Sequence, residues 1–241
     1  MLIAHKMVER AKNITFYTGA GISTASGIPD YRGPQGVWTR NPMAKRRSTT
    51  SHYISDPLAS LKIIQLDADD YEPNAGHLAL ARVQAQERLC GVVTTNVDGL
   101  HRKSGIAPER LVEVHGRNDQ AKCLQCHNVT DEAITYERVK LYGNPKCLKC
   151  GGLLKPNVVF FENYVDPVDL ERVCVMSEEC DLFVVVGSTL SVPPTNGLLL
   201  NATNKGIGTI IINNAPTQLD RDATVVWRGD ANKILPELFH G

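Results

Sequence analysis

The chain has 241 residues, which is enough for one large domain with a smaller satellite and too few for three independent cores. Its hydrophobic fraction of 42% and charged fraction of 22% argue against collagen, a coiled coil or wholesale disorder. The 26 basic residues balance the 26 acidic ones, so net charge gives no reason to expect a nucleic-acid or acidic membrane partner. No apolar run approaches the roughly 18 residues of a membrane span, and no signal-peptide core is seen, which predicts a cytoplasmic protein.

Short apolar or β-branched runs predict six strands, several of them apolar at consecutive positions as in strands covered on both faces. In chain order they are Asn13–Thr18, Val92–Thr95, Leu111–Val114, Leu182–Val186, Thr209–Ile212 and Thr224–Trp227. Helix-like stretches lie between them, including a helix predicted from His77 to Leu89 behind an Asn74 cap. This alternation predicts an α/β protein with a parallel sheet wrapped by helices.

The first predicted strand runs into Gly19-Ala20-Gly21-Ile22-Ser23, a turn that would bring backbone N–H groups close to a phosphate. The turn departs from the dinucleotide fingerprint because Thr24 occupies the third glycine position and no acidic residue ends a following strand at the expected distance. The loop that follows, residues 26–33, combines a carboxylate, an aromatic ring and a guanidinium. A surface turn rich in Gly and Pro is the alternative interpretation of this loop.

Polar residues also follow the next two predicted strands, as Asn96-Val97-Asp98 and as His115-Gly116. In an open α/β sheet, ligands bind beyond the carboxyl ends of the strands, so these groups predict one site at a shared crevice. A histidine there with a pKa near neutrality can accept a proton from a hydroxyl group.

Four of the seven cysteines form two Cys-x-x-Cys pairs separated by 20 residues, the spacing of a four-thiolate zinc site. These are Cys123, Cys126, Cys147 and Cys150. Two disulfides are the alternative, which an exported chain would favour. Four sulfur ligands leave no position for an activated water, so the predicted zinc is structural. The remaining three, Cys90, Cys174 and Cys180, lie in or beside apolar segments and are expected to act as small hydrophobic residues.

Two stretches interrupt the strand–helix alternation, residues 36–73 and residues 121–155. We expect them to form a smaller domain, a helical insertion together with the zinc module. The main domain would then comprise residues 1–35, 74–120 and 156–241.

The motifs GAGISTASGIPDYRG, TNVDGLH, EVHG, the paired CxxC, VVFF and GSTL follow one another between residues 19 and 190, within a match that runs from about residue 14 to residue 238. In this order they resemble the sirtuin family of NAD-dependent protein deacylases, and the amino-terminal motifs are most similar to its class IV branch. The resemblance implies a Rossmann-like NAD-binding domain with a smaller zinc-binding module. It also implies NAD as co-substrate, one structural zinc and acyl-lysine proteins as substrates.

The resemblance further implies roles for individual residues. His115 would be the base that activates a ribose hydroxyl, and Asn96 and Asp98 would orient the ribose and nicotinamide. The acyl-lysine tunnel would be lined by Val159, Phe160 and Phe161. The cofactor would be held by Gly19, Ala20, Gly21, Ser23, Ile28, Asp30, Tyr31, Arg32, Thr95, Asn96, Asp98, Gly187, Ser188, Thr189, Asn213 and Ala231.

The chain departs from the family pattern at two positions. Thr95 stands where the family has Gln, and the sequence Phe161-Glu162 lacks the glycine of the family's Phe-Gly-Glu. There is also no Tyr-x-x-Arg after Gly33, which favours neutral acyl groups over acidic ones.

Three functions therefore remain open from sequence: a lysine deacylase, an ADP-ribosyltransferase or NAD glycohydrolase using the same site, and an inactive NAD-binding or zinc-module interaction protein. The basic run Lys45-Arg46-Arg47 is interpreted as a solvated face, and the oligomeric state stays open.

Overall fold

The computed structural model of the protein describes residues 1–64 and 71–240. Residues 65–70 of the predicted insertion, and residue 241, lie outside the described residues. The strands are β1 Ile14–Thr18, β2 Leu89–Thr94, β3 Leu111–Glu113, β4 Gly116–Cys123, β5 Val129–Asp131, β6 Leu154–Val158, β7 Leu182–Val186, β8 Gly208–Asn213 and β9 Val225–Arg228.

Helices fill most of the connections between these strands. They are α1 Leu2–Arg10, α2 Val37–Arg40, α3 Pro42–Arg47, α4 Thr50–Ser55, α5 Pro57–Ile64, α6 Ala75–Ala85, α7 Leu100–Lys103, α8 Glu132–Tyr142, α9 Pro167–Glu179, α10 Leu198–Asn204 and α11 Ala231–Leu238. Short 3₁₀ helices cover Ala20–Ser26, Pro108–Arg110 and Thr195–Gly197. Among the described helices, none is both long and apolar enough to span a bilayer.

Six strands form the main sheet in the order β3-β2-β1-β7-β8-β9, and every neighbouring pair is parallel. Counting these six strands along the chain gives the order 3-2-1-4-5-6 of the doubly wound nucleotide-binding fold. From β1 the chain adds β2 and β3 on one side, and β7, β8 and β9 then follow on the other side. The strand order therefore reverses between β1 and β7, and the carboxyl ends of these two strands form the expected ligand crevice. The predicted α/β fold with a parallel sheet is confirmed.

Both faces of the sheet are covered, which explains the unbroken apolar runs. Every residue of β1 and of β7 is buried. Phe16 belongs to the core that α1, α6 and α11 cover, whereas Tyr17 belongs to the core on the opposite face under α9 and α10. Because successive strand residues point to opposite faces, a strand between two cores must be apolar at consecutive positions.

The helix predicted from His77 to Leu89 is wrong at its carboxyl end. The helix α6 ends at Ala85, and Leu89 instead begins β2, where it pairs with Ile14. Glu87 takes a positive φ of 58°, which turns the chain from the helix into the strand. The predicted cap is confirmed, because the Asn74 side chain accepts hydrogen bonds from the N–H groups of Gly76 and His77.

The cysteine segment folds as a separate three-stranded antiparallel sheet in the order β5-β4-β6, with α8 beside it. Its first strand begins at Gly116, immediately after His115, and Gly116 pairs with Val158. A parallel bridge between Thr49 and Phe161 ties the helical insertion to the chain that leaves this small sheet. The small module therefore joins the main sheet at the edge where the predicted site lies.

Candidate active site

The carboxyl ends of β1 and β7 approach so closely that side chains are excluded there. The Gly21 N–H donates to the Gly187 carbonyl oxygen at 2.8 Å, and a Cβ at Gly21 would lie 2.7 Å from the Gly187 Cα. Gly187 has a φ of +61°, and a Cβ there would lie 2.4 Å from the backbone nitrogen of Ile22. The contact fixes the 3₁₀ helix after Gly19, with Ala20 as its first residue, where β1 and β7 part.

Ser23, Asn96 and Asp98 form a buried hydrogen-bonded cluster beside this turn. The Ser23 hydroxyl donates to Asp98 Oδ2 at 2.7 Å, and Asn96 Nδ2 lies 3.2 Å from both Ser23 Oγ and the Gly19 carbonyl oxygen. The second oxygen, Asp98 Oδ1, accepts from the Leu100 N–H at 3.0 Å. Both carboxylate oxygens are thus held, so the predicted site residues of the first two strand ends form one rigid unit.

Two buried histidines, which the sequence analysis did not assign to the site, pack behind this cluster. His101 Nε2 lies 2.8 Å from the Thr18 hydroxyl at the end of β1, and its ring centroid lies 4.9 Å from that of His77. Burial lowers the pKa of both imidazoles, so both are neutral near pH 7. Helical spacing could not reveal the pair, because it forms only when α6 and α7 meet.

His115 is half-buried and oriented by the backbone of Thr95. Its Nδ1–H donates to the Thr95 carbonyl oxygen at 3.2 Å, which leaves Nε2 of the neutral ring as a hydrogen-bond acceptor. Burial lowers the pKa of His115, and the bond to Thr95 opposes that shift. The ring is therefore neutral and able to accept a proton at neutral pH.

The side chain of Thr95 does not point into the crevice in place of the family's glutamine. Its hydroxyl lies 3.3 Å from the Thr18 carbonyl oxygen, to which it donates, and its N–H bonds the same oxygen at 3.0 Å. Thr95 is consequently fastened to β1, and its link to His115 runs through its own carbonyl group. That link is independent of the side chain at position 95.

The loop after the 3₁₀ helix carries Ile28, Asp30, Tyr31 and Arg32. Ile28 is buried, with its N–H on the Ser23 carbonyl oxygen at 3.4 Å. Asp30 Oδ1 accepts from the Gly33 N–H at 2.9 Å, so this carboxylate closes its own turn. Tyr31 and Arg32 instead lie against an indole ring, with the Tyr31 centroid at 4.7 Å and Arg32 Cζ at 4.8 Å from the centroid of Trp38.

The other predicted cofactor residues lie at the far half of the same sheet edge. Ser188 Oγ accepts from the Leu190 N–H at 3.2 Å, and Thr189 Oγ1 lies 2.9 Å from Ser191 Oγ. Asn213, the last residue of β8, is buried and donates through Nδ2 to the Ala215 carbonyl oxygen at 2.8 Å. Ala231 begins α11 and belongs to the same buried cluster as Ile22.

The predicted substrate residues follow β6. The Val159 N–H donates to the His115 carbonyl oxygen at 2.8 Å, which fastens this segment beside the candidate base. Phe160 is buried against Tyr53, with ring centroids 5.7 Å apart, whereas Phe161 is 37% exposed. The three residues therefore do not share one environment, since Phe160 is buried, Val159 is partly exposed and Phe161 is exposed.

Lys155 contacts the segment that follows β6 and was not predicted from sequence. It is buried, its Nζ lies 3.8 Å from the Phe160 ring centroid, and it donates to the carbonyl oxygens of Pro156 at 3.0 Å and Val158 at 2.5 Å. Burial lowers the pKa of Lys155 to about 8. Lys155 forms none of the described ion pairs, and its positive charge is instead satisfied by backbone carbonyls and an aromatic face.

Glu162 takes the left-handed backbone conformation, with a φ of +76°. That region favours glycine, so Glu162 occupies the conformation expected of the glycine that the motif lacks. Its carboxylate accepts from the N–H and from the hydroxyl of Ser51, each at 2.9 Å. The segment that follows β6 is thereby fastened to α4.

The four thiols of Cys123, Cys126, Cys147 and Cys150 form one cluster in which all sulfur atoms lie within 4.8 Å of one another. The Sγ atoms of Cys123 and Cys150 are 3.6 Å apart, and those of Cys126 and Cys147 are 3.8 Å apart. A tetrahedral zinc with Zn–S bonds of about 2.3 Å requires sulfur separations of about 3.8 Å. The cluster therefore fits the predicted structural zinc, and all seven cysteines are free rather than paired in disulfides.

The Sir2 family model matches residues 19–194. The chain belongs to the Sir2 family. The matched span contains the glycine turn, the cluster around Asp98, His115 and all four zinc-site cysteines.

This Sir2 protein is similar to curated relatives along nearly its whole length. NAD-dependent protein deacetylase 2 of Streptomyces coelicolor is 36% identical over 233 residues, covering 95% of this chain and 97% of the relative. NAD-dependent protein deacetylase 1 of Pyrobaculum aerophilum is 37% identical over 236 residues, covering 97% and 91%.

Solved Sir2 structures share the fold. A chain described in a study of the mechanism and regulation of Sir2 enzymes has a TM-score of 0.87 at 33% identity, covering 98% of this chain and 95% of that one. A Sir2 chain solved with a deacetylated p53 peptide and 3'-O-acetyl-ADP-ribose has a TM-score of 0.91 at 26% identity, covering 99% and 96%.

Proposed function

We propose that this Sir2 protein is an NAD-dependent protein-lysine deacetylase that releases nicotinamide and yields deacylated lysine and O-acyl-ADP-ribose. The observation that carries the proposal is the arrangement of His115, whose Nδ1 is anchored on Thr95 and whose Nε2 can accept a proton. The names of its relatives as deacetylases support it, as does the Sir2 structure that holds a deacetylated peptide with acetyl-ADP-ribose. NAD, when bound, supplies the acceptor ribose and the nicotinamide leaving group.

The chain's own residues would divide the work along the sheet edge. His115 would take a proton from a ribose hydroxyl, and the rigid pair of Asn96 and Asp98 would orient the ribose and the nicotinamide. Ser23 and the backbone of residues 19–21 would hold the pyrophosphate, with Ser188, Thr189, Asn213 and Ala231 on the adenosine side. Ile28, Asp30, Tyr31 and Arg32 would cover the nicotinamide half and exclude water.

The zinc would serve the fold rather than the reaction. Four thiolate ligands fill its coordination sphere, so no position is left for a reactive water. We propose that the metal holds together a small domain of residues 36–73 and 121–155, docked on a main domain of residues 1–35, 74–120 and 156–241.

ADP-ribosyl transfer or NAD hydrolysis at the same site is the second candidate. The Thr95 side chain favours this candidate. Its hydroxyl already donates to the Thr18 carbonyl oxygen, and threonine has no amide group that could position a ribose. Nicotinamide release that does not depend on an acyl-lysine peptide would be its signature.

Two finer assignments accompany the main proposal. The motif of residues 21–38 supports membership of the class IV branch through its resemblance to that branch. The seven free thiols support a reducing compartment, the cytoplasm.

A His115→Ala variant tests the proposal. We expect deacetylation to fall by about 10²- to 10⁴-fold, the usual contribution of a general base, while NAD still binds. The matched control is His5→Ala on α1, which should retain full activity. Full deacetylation by the His115→Ala variant would refute the role of His115 and with it the proposed site.

A further inference from the structure

A concentration of positive charge lies beside the substrate segment at Phe161. Residues 31–55 contain no Asp or Glu in a chain whose formal net charge is zero. Their Lys and Arg residues are Arg32, Arg40, Lys45, Arg46 and Arg47. This segment comprises α2, α3 and α4, so the charge lies on the helical insertion rather than on the main sheet.

Aromatic rings organise two of these cations into one surface around Trp38. The Trp38 ring centroid lies 4.7 Å from that of Tyr31 and 5.5 Å from that of Phe161. Arg32 Cζ lies 4.8 Å from the Trp38 centroid, and Lys45 Nζ lies 5.9 Å from Trp38 and 5.7 Å from Phe161. Because Arg32 is assigned to the cofactor, we call Trp38, Lys45 and Phe161 the basic aromatic surface.

The cation of this surface, Lys45, is exposed and available to a ligand. It forms no salt bridge among the described ion pairs. An aromatic face holds a cation by its charge and leaves its N–H donors free. The surface is therefore ready to receive carboxylates.

Backbone hydrogen bonds fix the surface against the substrate segment. The Phe161 N–H donates to the Ser48 carbonyl oxygen at 3.0 Å, and the Thr50 N–H donates to the Phe161 carbonyl oxygen at 3.3 Å. The neighbouring carboxylate of Glu162 accepts hydrogen bonds from Ser51, and no described ion pair joins it to Lys45. A peptide lying along Phe161 would consequently meet positive charge beside its acyl-lysine.

We propose that the basic aromatic surface binds acidic side chains that flank the acyl-lysine, so that the substrates are acyl-lysine peptides with Asp or Glu near the modified residue. This inference rests on the proposed function, because it takes Phe161 as part of the peptide site. Single-stranded nucleic acid also binds basic aromatic surfaces. The contiguity with Phe161 and the neutral charge of the whole chain favour the acidic peptide.

The test compares three acetyl-lysine peptides that differ only in two flanking residues, which are Glu, Gln or Lys. We expect kcat/KM to rise in the order Lys, Gln, Glu, by about 2- to 5-fold for each acidic residue, as exposed ion pairs allow. Added salt should shrink the difference. Lys45→Gln should weaken the preference and Lys45→Glu should reverse it, with the KM for NAD unaltered in both variants. Lys6→Glu on α1 makes the same charge change elsewhere and should keep the wild-type order.

Binding of the same peptides, measured by fluorescence anisotropy, separates this inference from the proposed function. Tighter binding of the Glu peptide without turnover of any peptide would support the surface and refute the deacetylase. Turnover with equal kcat/KM for all three peptides would refute the surface alone, as would a preference unchanged in Lys45→Glu. A single-stranded oligonucleotide that binds more tightly than the Glu peptide, and needs Lys45, would also refute it.

Discussion

Glu162 shows how one residue can hold two elements together under backbone strain. A non-glycine residue in the left-handed region costs about 1 to 2 kcal/mol. The two hydrogen bonds from Ser51 to its carboxylate oppose that cost, and because both residues are exposed each bond contributes less than the about 1.5 to 3 kcal/mol of a bond to a charged group. The strain is therefore tolerated at this candidate peptide site because the hydrogen bonds to α4 oppose it.

The strain at Glu162 predicts an unusual order of variant stabilities. Glu162→Ala and Glu162→Gly both lose the hydrogen bonds from Ser51, but only glycine adopts the +76° backbone without cost. We expect the glycine variant to be more stable than the alanine variant by about 1 kcal/mol in urea unfolding. At the exposed neighbour Tyr164, the same pair of substitutions should show the opposite order. An alanine variant at position 162 as stable as the glycine variant would contradict the account of strain.

Single candidate residues of the site could be named from sequence where a short motif carries them. Asn96, Asp98 and His115 follow strand ends, Ser23 lies in the 3₁₀ helix after β1, and the structure brings Ser23, Asn96 and Asp98 into one cluster. The conformation of Glu162 was not predictable, because it depends on a hydrogen bond to Ser51, more than a hundred residues away. Such long-range partners leave no periodic pattern in the sequence.

At the scale of elements, the two Cys-x-x-Cys pairs supply much of the core of the small sheet, because its apolar residues are too few to form one alone. Among the described residues, the cluster around the cysteines holds Ala121, Cys123, Cys147 and Leu154, with Cys126 packed against it. A domain with so small a core usually depends on a metal or on disulfides. The zinc is consequently expected to be a condition for folding of this module.

Removal of one ligand tests the metal site. We expect purified protein to hold one zinc per chain, and Cys147→Ser to lose the metal and all deacetylation, since three thiolates bind zinc far more weakly. Metal content and activity would be measured together. Cys174→Ser, a thiol outside the cluster, is the control and should keep one zinc. A Cys147→Ser protein that retains both zinc and activity would contradict the structural role.

Elements buried on both faces were the easiest to predict, because their apolar runs are unbroken. The strand Leu182–Val186 was predicted with its observed bounds. The end of α6 was not predicted correctly. Leu89 fits the helical spacing of apolar residues, but in the structure it pairs with Ile14 in the sheet. The order of the strands likewise depends on which strands pair, and no single segment encodes that.

At the scale of the whole molecule, the buried pair His77 and His101 makes stability depend on pH. Burial lowers the pKa of both groups in the folded state, whereas an unfolded histidine has a pKa of about 6.5. Below that pH the unfolded chain takes up protons that the native protein cannot. The contribution of the two neutral histidines to the free energy of unfolding is therefore fully present above about pH 6.5. It is lost as the pH falls toward their pKa values in the folded state.

A His77→Gln variant isolates this effect from the acid sensitivity of the zinc site, which both proteins share. Wild type should be the more stable protein at pH 7.5. Its advantage should narrow by at most about 1.4 kcal/mol per pH unit as the pH falls to 5.5, the limit for one proton. Urea unfolding at a series of pH values measures both free energies. Parallel stability curves for the two proteins would contradict a neutral buried His77.

The most direct test of the whole account is the stoichiometry of products from NAD and an acetyl-lysine peptide, measured by mass spectrometry on the zinc-loaded protein. The account predicts nicotinamide, deacetylated peptide and O-acetyl-ADP-ribose in a ratio of one to one to one, with nicotinamide release dependent on the peptide. Nicotinamide release at the same rate without peptide, accompanied by free ADP-ribose or ADP-ribosylated protein, would contradict it.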